Sequence, residues 1–164
     1  MKYIVLTMVA FMALTASAQN QRKSPHETVS SDNVSVTYGR PYKKDRDIFG
    51  GLEKFGKVWR VGADEATTIT FNKDVKFGGK PVKAGTYTLF AIPNEKEWTI
   101  ILNSELGQWG AYNYDKIKDK DVVQVTVPVQ KLSEAVEQLT IGFPDAAALA
   151  IAWDKTRVEV PLNF

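Results

Sequence analysis

The chain has 164 residues, a formal net charge of +2 and no cysteine. Basic and acidic residues are interspersed along the chain, which argues against a nucleic-acid-binding protein because such proteins need clustered lysines and arginines. The lack of cysteine excludes disulfides and a cysteine-linked lipid anchor. The length suits one domain whose core is stabilised by packing alone.

The first 18 residues have the pattern of a secretory signal peptide. Lys2 supplies a positive charge, residues 3–14 form an apolar run, and Ala16-Ser17-Ala18 offers small residues for cleavage. The run is shorter than the roughly 18 apolar residues that suggest a membrane-spanning helix. We therefore expect residues 19–164 to form one exported domain without a transmembrane span.

Apolar and polar residues alternate with period two in most of the remaining chain, which is the main signal of half-buried β-strands. Turn residues such as Gly78-Gly79 separate these segments, and Pro128 predicts a sheet edge or a bulge. In chain order, the predicted strands cover residues 33–38, 68–71, 75–77, 86–92, 98–102, 123–129, 139–143, 149–153 and 158–162.

Helical signals are weak in this sequence. Residues 48–55 suggest a turn or two of helix and residues 132–136 one turn, but glycines at or beside the first segment oppose a long helix. About nine or ten short strands with turns between them predict an all-β fold, a jelly-roll-like antiparallel β-sandwich with little helix. Residues 103–121 form the longest stretch without alternation, and long loops in compact domains are often functional.

Several segments resemble a known family. They are VTYGRP (36–41), IFGGL (48–52), GKVWRVGADEATTITF (56–71), AGTY (84–87) with LF (89–90), EWT (97–99), and QWGAY (108–112) with Tyr114. Together they are similar to a secreted bacterial family known only as domain of unknown function 2911. The resemblance implies an exported β-rich domain of Gram-negative bacteria, and it implies no reaction, cofactor or catalytic residue. Val61 stands where members often have threonine, and Asp64 where they often have asparagine.

The first candidate site combines Arg60, Asp64 and Glu65, which lie between two strand-like runs. The favoured interpretation is a structural corner in which the guanidinium pairs with a carboxylate. A ligand-binding rim and a hydrolase with Asp64 or Glu65 as acid and base are the alternatives. Neighbouring residues of a strand point to opposite faces, so a shared catalytic site would require a turn here.

Two loops supply further candidates for ligand binding. Arg40 and Arg46 belong to a basic loop and suit an anionic ligand, although a solvated connection is the favoured interpretation. Trp109, Tyr112 and Tyr114 lie in an aromatic loop. Exposed aromatic rings would stack on sugars or anchor a protein partner, whereas rings that fold back would cover one end of the core.

His26 is the only histidine, so a zinc site is not expected, and the favoured interpretation is a surface histidine. We predict no cofactor, no metal and no nucleic-acid partner. The predicted function is an exported, non-catalytic binding domain of the bacterial cell envelope, periplasmic or extracellular, with a carbohydrate as the leading ligand class. An envelope protein-interaction module and a hydrolase that uses Asp64 or Glu65 with Arg60 are the alternatives. The candidate ligand-binding residues are Arg40, Arg46, Arg60, Asp64, Glu65, Trp109 and Tyr112.

Overall fold

The computed structural model describes residues 24–164, and the predicted signal peptide lies outside the described residues. The described chain is mostly strand, with one short helix, α1 (Tyr114–Ile117), and a 3₁₀ turn (Lys118–Lys120). Two antiparallel sheets confirm the predicted all-β sandwich. The strands are β1 (His26–Ser31), β2 (Val34–Gly39), β3 (Thr68–Phe71), β4 (Val75–Phe77), β5 (Lys80–Val82), β6 (Gly85–Pro93), β7 (Glu97–Asn103), β8 (Asp121–Pro128), β9 (Gln130–Gly142) and β10 (Ala148–Asn163).

The larger sheet has the strand order β1-β2-β3-β6-β7-β8. Neighbouring strands of this sheet are also consecutive in the chain, with one exception. Between the neighbours β3 and β6, the chain crosses to the other sheet and forms the β4–β5 hairpin. Gly78 and Gly79 make this turn with φ angles of 56° and 84°, as their position between alternating runs predicts. Strand β8 lies at the sheet edge and ends at Pro128, which confirms the expectation for that proline.

The smaller sheet has the order β5-β4-β10-β9, and two sequence predictions are wrong here. Residues 132–136 belong to β9 and form no helical turn. The strands predicted at 149–153 and 158–162 are one continuous strand, β10. Its pairing with β9 shifts register around Asp154, which has a φ of 52°. A bulge of this kind interrupts the alternation without ending the strand.

The two sheets pack around one apolar core, and four aromatic rings meet in it. The Trp59 ring stacks on Trp153 at 6.1 Å and 17°, and meets Trp98 edge-on at 5.8 Å. Phe49 contacts all three rings. Each aromatic pair stabilises a fold by about 0.5–1.5 kcal/mol beyond area burial. Since Trp59 directly precedes Arg60, this cluster positions the start of the candidate site.

A second layer covers the outer face of β6 and β7. Residues 103–121 cross this face, and Tyr114 of α1 packs edge-on against Phe90 with ring centroids 5.3 Å apart. The Tyr114 hydroxyl donates a hydrogen bond to Asp121 at 2.5 Å, and the Asn103 amide donates to the same carboxylate at 2.8 Å. The Tyr114 ring is therefore buried. Of the two interpretations of the aromatic loop, this ring follows the one in which the rings fold back onto the protein.

Candidate functional site

The corner loop, residues 60–66, leaves the larger sheet and returns to it. On either side of the loop, Trp59 exchanges two backbone hydrogen bonds with Ala91 of β6, and the Leu89 amide donates to the Thr67 carbonyl. Across its neck, the Thr67 amide donates to the Arg60 carbonyl at 3.1 Å. The buried Thr67 hydroxyl donates to the carbonyl of residue 61 at 2.7 Å. Backbone and hydroxyl hydrogen bonds therefore define the shape of the corner loop.

Two residues of the corner loop have left-handed backbone conformations. Val61 has a φ of 57° and is fully buried, although a β-branched residue is a genuine outlier in this region. Asp64 has a φ of 62°, a conformation that asparagine and aspartate adopt more readily than other non-glycine residues. Asparagine, which members of the resembled family often have at position 64, suits the same left-handed conformation. Strained residues cost on the order of 1–3 kcal/mol each and often cluster at functional sites.

The carboxylates of the corner loop do not pair with Arg60 in the described part of the chain. The Glu65 carboxylate lies 3.4 Å from Nε2 of His26, the first residue of β1. No ion pair within 4.0 Å joins Arg60 to any of residues 24–164, and its Nε atom is buried without a hydrogen-bond partner. The expected Arg60–carboxylate corner is therefore not what stabilises this loop, because backbone hydrogen bonds already do so.

Arg60 lines an open groove of about 440 Å³, which we call the corner groove. Two further candidates, Arg46 and Asp64, line the same groove, and the Trp153 ring forms part of its wall. Arg46 is oriented by its own loop, since its guanidinium donates to the carbonyls of Lys43 and Tyr42 at 2.8 and 2.5 Å. The structure thus brings together three predicted residues from two separate loops.

Glu53 is a groove residue that sequence reasoning missed. It lies in the predicted turn region, where its amide donates to the Ile48 carbonyl at 2.8 Å and its carbonyl accepts from Gly50 at 2.8 Å. Burial raises the pKa of the Glu53 carboxyl, and the charges of Arg60 and Arg46 oppose this rise. A single acidic residue in a glycine-rich turn carries no pattern that marks it for a site, so the sequence offered no signal.

Arg40 lies outside the corner groove and has a structural role. Its Nε donates to the Leu139 carbonyl at 2.9 Å, and its two terminal nitrogens donate to Glu27 and Thr140 at 3.0 Å. These contacts join the end of β2 to β1 in the same sheet and to β9 in the other. With its three nitrogens occupied, Arg40 has little capacity left for a ligand.

The exposed aromatic side chains lie next to the corner loop. Trp109 and Tyr112 are 60% and 80% exposed. The loop that carries them is attached to the corner, because the residue 66 amide donates to the Gln108 carbonyl at 2.9 Å and the Gly110 amide to the Asp64 carbonyl at 3.2 Å. The corner groove and an exposed aromatic pair therefore both adjoin one short segment.

Within residues 24–164, no group of three or more histidines, cysteines, aspartates or glutamates is placed to hold a metal ion. Within the same range, no helix has the length and apolarity to span a membrane.

Fold and site together define a small all-β sandwich with a charged groove beside its corner loop. The family model described as a protein of unknown function, DUF2911, matches residues 20–162. The chain belongs to this family, which confirms the resemblance found in its sequence. No curated protein and no solved structure gives a significant match.

Proposed function

We propose that this protein is an exported, non-catalytic binding domain of the bacterial cell envelope, and that its ligand is a small acidic saccharide held in the corner groove. The observation that carries the proposal is Arg60. Its guanidinium lines the groove, its Nε is buried without a partner, and no carboxylate of residues 24–164 pairs with it. A planar guanidinium favours carboxylates through two parallel hydrogen bonds, so a ligand carboxylate is the partner that suits it best.

The size and the lining of the groove support a small ligand. About 440 Å³ falls within the range of small-molecule sites, roughly 300–1,000 Å³. Arg46 and Lys44 add positive charge beside Arg60, and Tyr42 and Trp153 add aromatic surface. This combination fits an anionic ligand with a partly apolar body.

The saccharide class is supported by the exposed aromatic pair. Trp109 and Tyr112 are flat apolar surfaces with a polar edge, and sugar rings stack on such surfaces. Gly110 lies between the pair in the chain, and Arg60 approaches it closely. A saccharide longer than one ring would therefore reach from the guanidinium to the aromatic rings.

The hydrolase alternative is less well supported by the arrangement of the carboxylates. Asp64 lines the corner groove, whereas the Glu65 carboxylate lies 3.4 Å from Nε2 of His26. Of the two carboxylates that this alternative could use with Arg60, Asp64 therefore lines the groove and Glu65 does not. Export of the domain rests on the signal-peptide pattern of residues 1–18.

A protein-interaction module is the second candidate, and the exposed aromatics favour it. Trp109 and Tyr112, together with the 46% exposed Leu106, place large apolar side chains on one loop. Aromatic residues dominate the energetics of many protein interfaces. This candidate predicts binding that depends on the loop and does not depend on Arg60.

Calorimetric titration tests the proposal by comparing an acidic trisaccharide, tri-galacturonate, with a neutral trisaccharide. We expect the mature domain to bind only the acidic sugar, and we expect Arg60→Gln to lose this binding. Lys76→Gln on β4, away from the groove, is the control and should bind as the unmodified domain does. Equal binding of both sugars, or full binding by Arg60→Gln, would contradict the role of Arg60.

A further inference from the structure

The Glu53 carboxyl shares the corner groove with two arginines but forms no close ion pair. Within residues 24–164, no basic nitrogen lies within 4.0 Å of this carboxylate. The charges of Arg60 and Arg46 nevertheless act on it. Glu53 is therefore an internal anion that competes at longer range with any anion that enters the groove.

Glu53 shares the corner groove with charged and titratable groups from two other loops. Tyr42, Lys44 and Arg46 belong to the loop after β2, and Arg60 and Asp64 belong to the corner loop. Trp153 of β10 contributes a neutral, apolar surface. Because Glu53 is half-buried, its charge is screened less than a fully exposed charge would be.

We propose that Glu53 makes ligand binding depend on pH, because the groove binds an anionic ligand tightly only when the Glu53 carboxyl is protonated. The proposal rests on the proposed function, since it concerns the same groove and an acidic ligand. A ligand carboxylate brought beside Arg60 adds a negative charge near Glu53. The two anions repel each other, and Glu53 takes up a proton when the ligand binds.

The direction of the pH dependence follows from burial. Desolvation raises the pKa of Glu53, so its proton is retained to a higher pH than in an exposed glutamate. Ligand affinity should therefore be high in mildly acidic solution and fall as the pH rises and Glu53 ionises. By reciprocity, bound ligand should raise the pKa of Glu53 further by the same coupling free energy.

Two other titratable groups need controls. His26 lies 3.4 Å from the Glu65 carboxylate of the corner loop. Asp64 lies in the groove itself. The variants His26→Gln and Asp64→Asn separate these groups from Glu53, and Glu53→Gln imitates its protonated form with little change in shape.

The experiment is titration calorimetry with tri-galacturonate from about pH 5 to about pH 8, where the sugar carboxylates stay ionised. We expect the affinity of the unmodified domain to fall at least about fivefold over this range, the lower end of typical coupling between sites. Glu53→Gln should keep the acidic-pH affinity throughout, whereas His26→Gln and Asp64→Asn should retain the pH dependence. Two buffers of different ionisation enthalpy should reveal proton uptake in the unmodified domain and none in Glu53→Gln.

The outcomes that overturn the proposal are distinct from failure of the proposed function. An equal slope in Glu53→Gln and the unmodified domain, or binding without proton uptake, would overturn the role of Glu53 and leave acidic-saccharide binding intact. A lack of binding at every pH would overturn both proposals. Circular dichroism of each variant checks its fold, and the two-buffer measurement on the unmodified domain requires no variant.

Discussion

Arg60 and Gly110 are direct neighbours, with Nη1 of Arg60 only 3.3 Å from the position that a Cβ on Gly110 would occupy. The Tyr112 ring lies 2.7 Å from the same position. Glycine at 110 thus leaves the space in which the guanidinium and the exposed ring approach each other. Any larger residue would push one of them away.

Gly110→Ala should destabilise the fold and weaken ligand binding. Gly107→Ala is the matched control, since Gly107 and Gly110 have φ angles of 71° and 70° but no atom lies within 4 Å of a Cβ on Gly107. Both variants carry the left-handed penalty of about 1–2 kcal/mol, and only Gly110→Ala adds a steric cost of about 1–3 kcal/mol. Urea unfolding measures the difference, and equal losses in the two variants would argue against the close approach.

Arg40 and Arg60 should respond to substitution in opposite ways. Arg40→Ala removes three hydrogen bonds that join β2 to strands of both sheets, at about 1 kcal/mol each, so we expect a loss of about 2–3 kcal/mol in the free energy of unfolding. Arg60→Ala removes no such bond within residues 24–164 and should cost less than about 1 kcal/mol. Denaturant unfolding compares them. A larger loss for Arg60→Ala would restore the structural interpretation of the corner.

Asp64 should tolerate asparagine better than alanine. Its φ of 62° suits both aspartate and asparagine, so Asp64→Asn should change the free energy of unfolding by less than about 0.5 kcal/mol. Asp64→Ala should cost about 1–2 kcal/mol because alanine lacks a side chain that stabilises this conformation locally. Thermal and urea unfolding measure both changes. A large loss in Asp64→Asn would indicate that the charge, and not the backbone conformation, is required.

Tyr114 should limit stability at alkaline pH. Burial, and then the hydrogen bond to Asp121, raise the pKa of its hydroxyl above the ordinary value of 10.0. A raised pKa in the folded state means that the stabilisation is fully present below about pH 10 and is lost as the pH rises further, because the unfolded state ionises first. The free energy of unfolding should therefore fall above about pH 10 in the unmodified domain and much less in Tyr114→Phe.

Tyr112→Phe is the control for this alkaline effect, because Tyr112 is 80% exposed. It should retain the decline of the unmodified domain. At neutral pH, Tyr114→Phe should cost about 1–2 kcal/mol, since Asp121 loses one of its donors. An identical alkaline decline in both tyrosine variants would contradict a special role for the buried hydroxyl.

The strands of the sandwich could be predicted well because alternation is a local property. In β2, residues 34, 36 and 38 are buried and residues 35 and 37 are half-buried, as the period-two pattern predicts. Strand β1 was not predicted, because this edge strand has no buried residue and so no apolar alternation. The bulge near Asp154 had the opposite effect and divided one strand into two predicted ones.

The candidate site stays a prediction, and the structure shows which of its residues lie together. Arg46, Arg60 and Asp64 do line one groove, whereas Arg40 contacts neighbouring strands and Glu65 lies beside His26. The contribution of each charged residue depends on the direction of its side chain in a loop, and no periodic pattern specifies that direction.

The sequence alone determined the strand pattern and the sandwich, because alternate burial along a strand requires alternate apolar residues in the chain. It also determined the family, because short segments of consecutive residues carry that resemblance. The tertiary structure alone decided which charges share a groove. Glu53, Arg46 and Arg60 come from loops that meet through the strand order and the left-handed turns at Val61 and Asp64. The same long-range packing buried Tyr114 and left Tyr112 exposed, although the two rings are close in the chain.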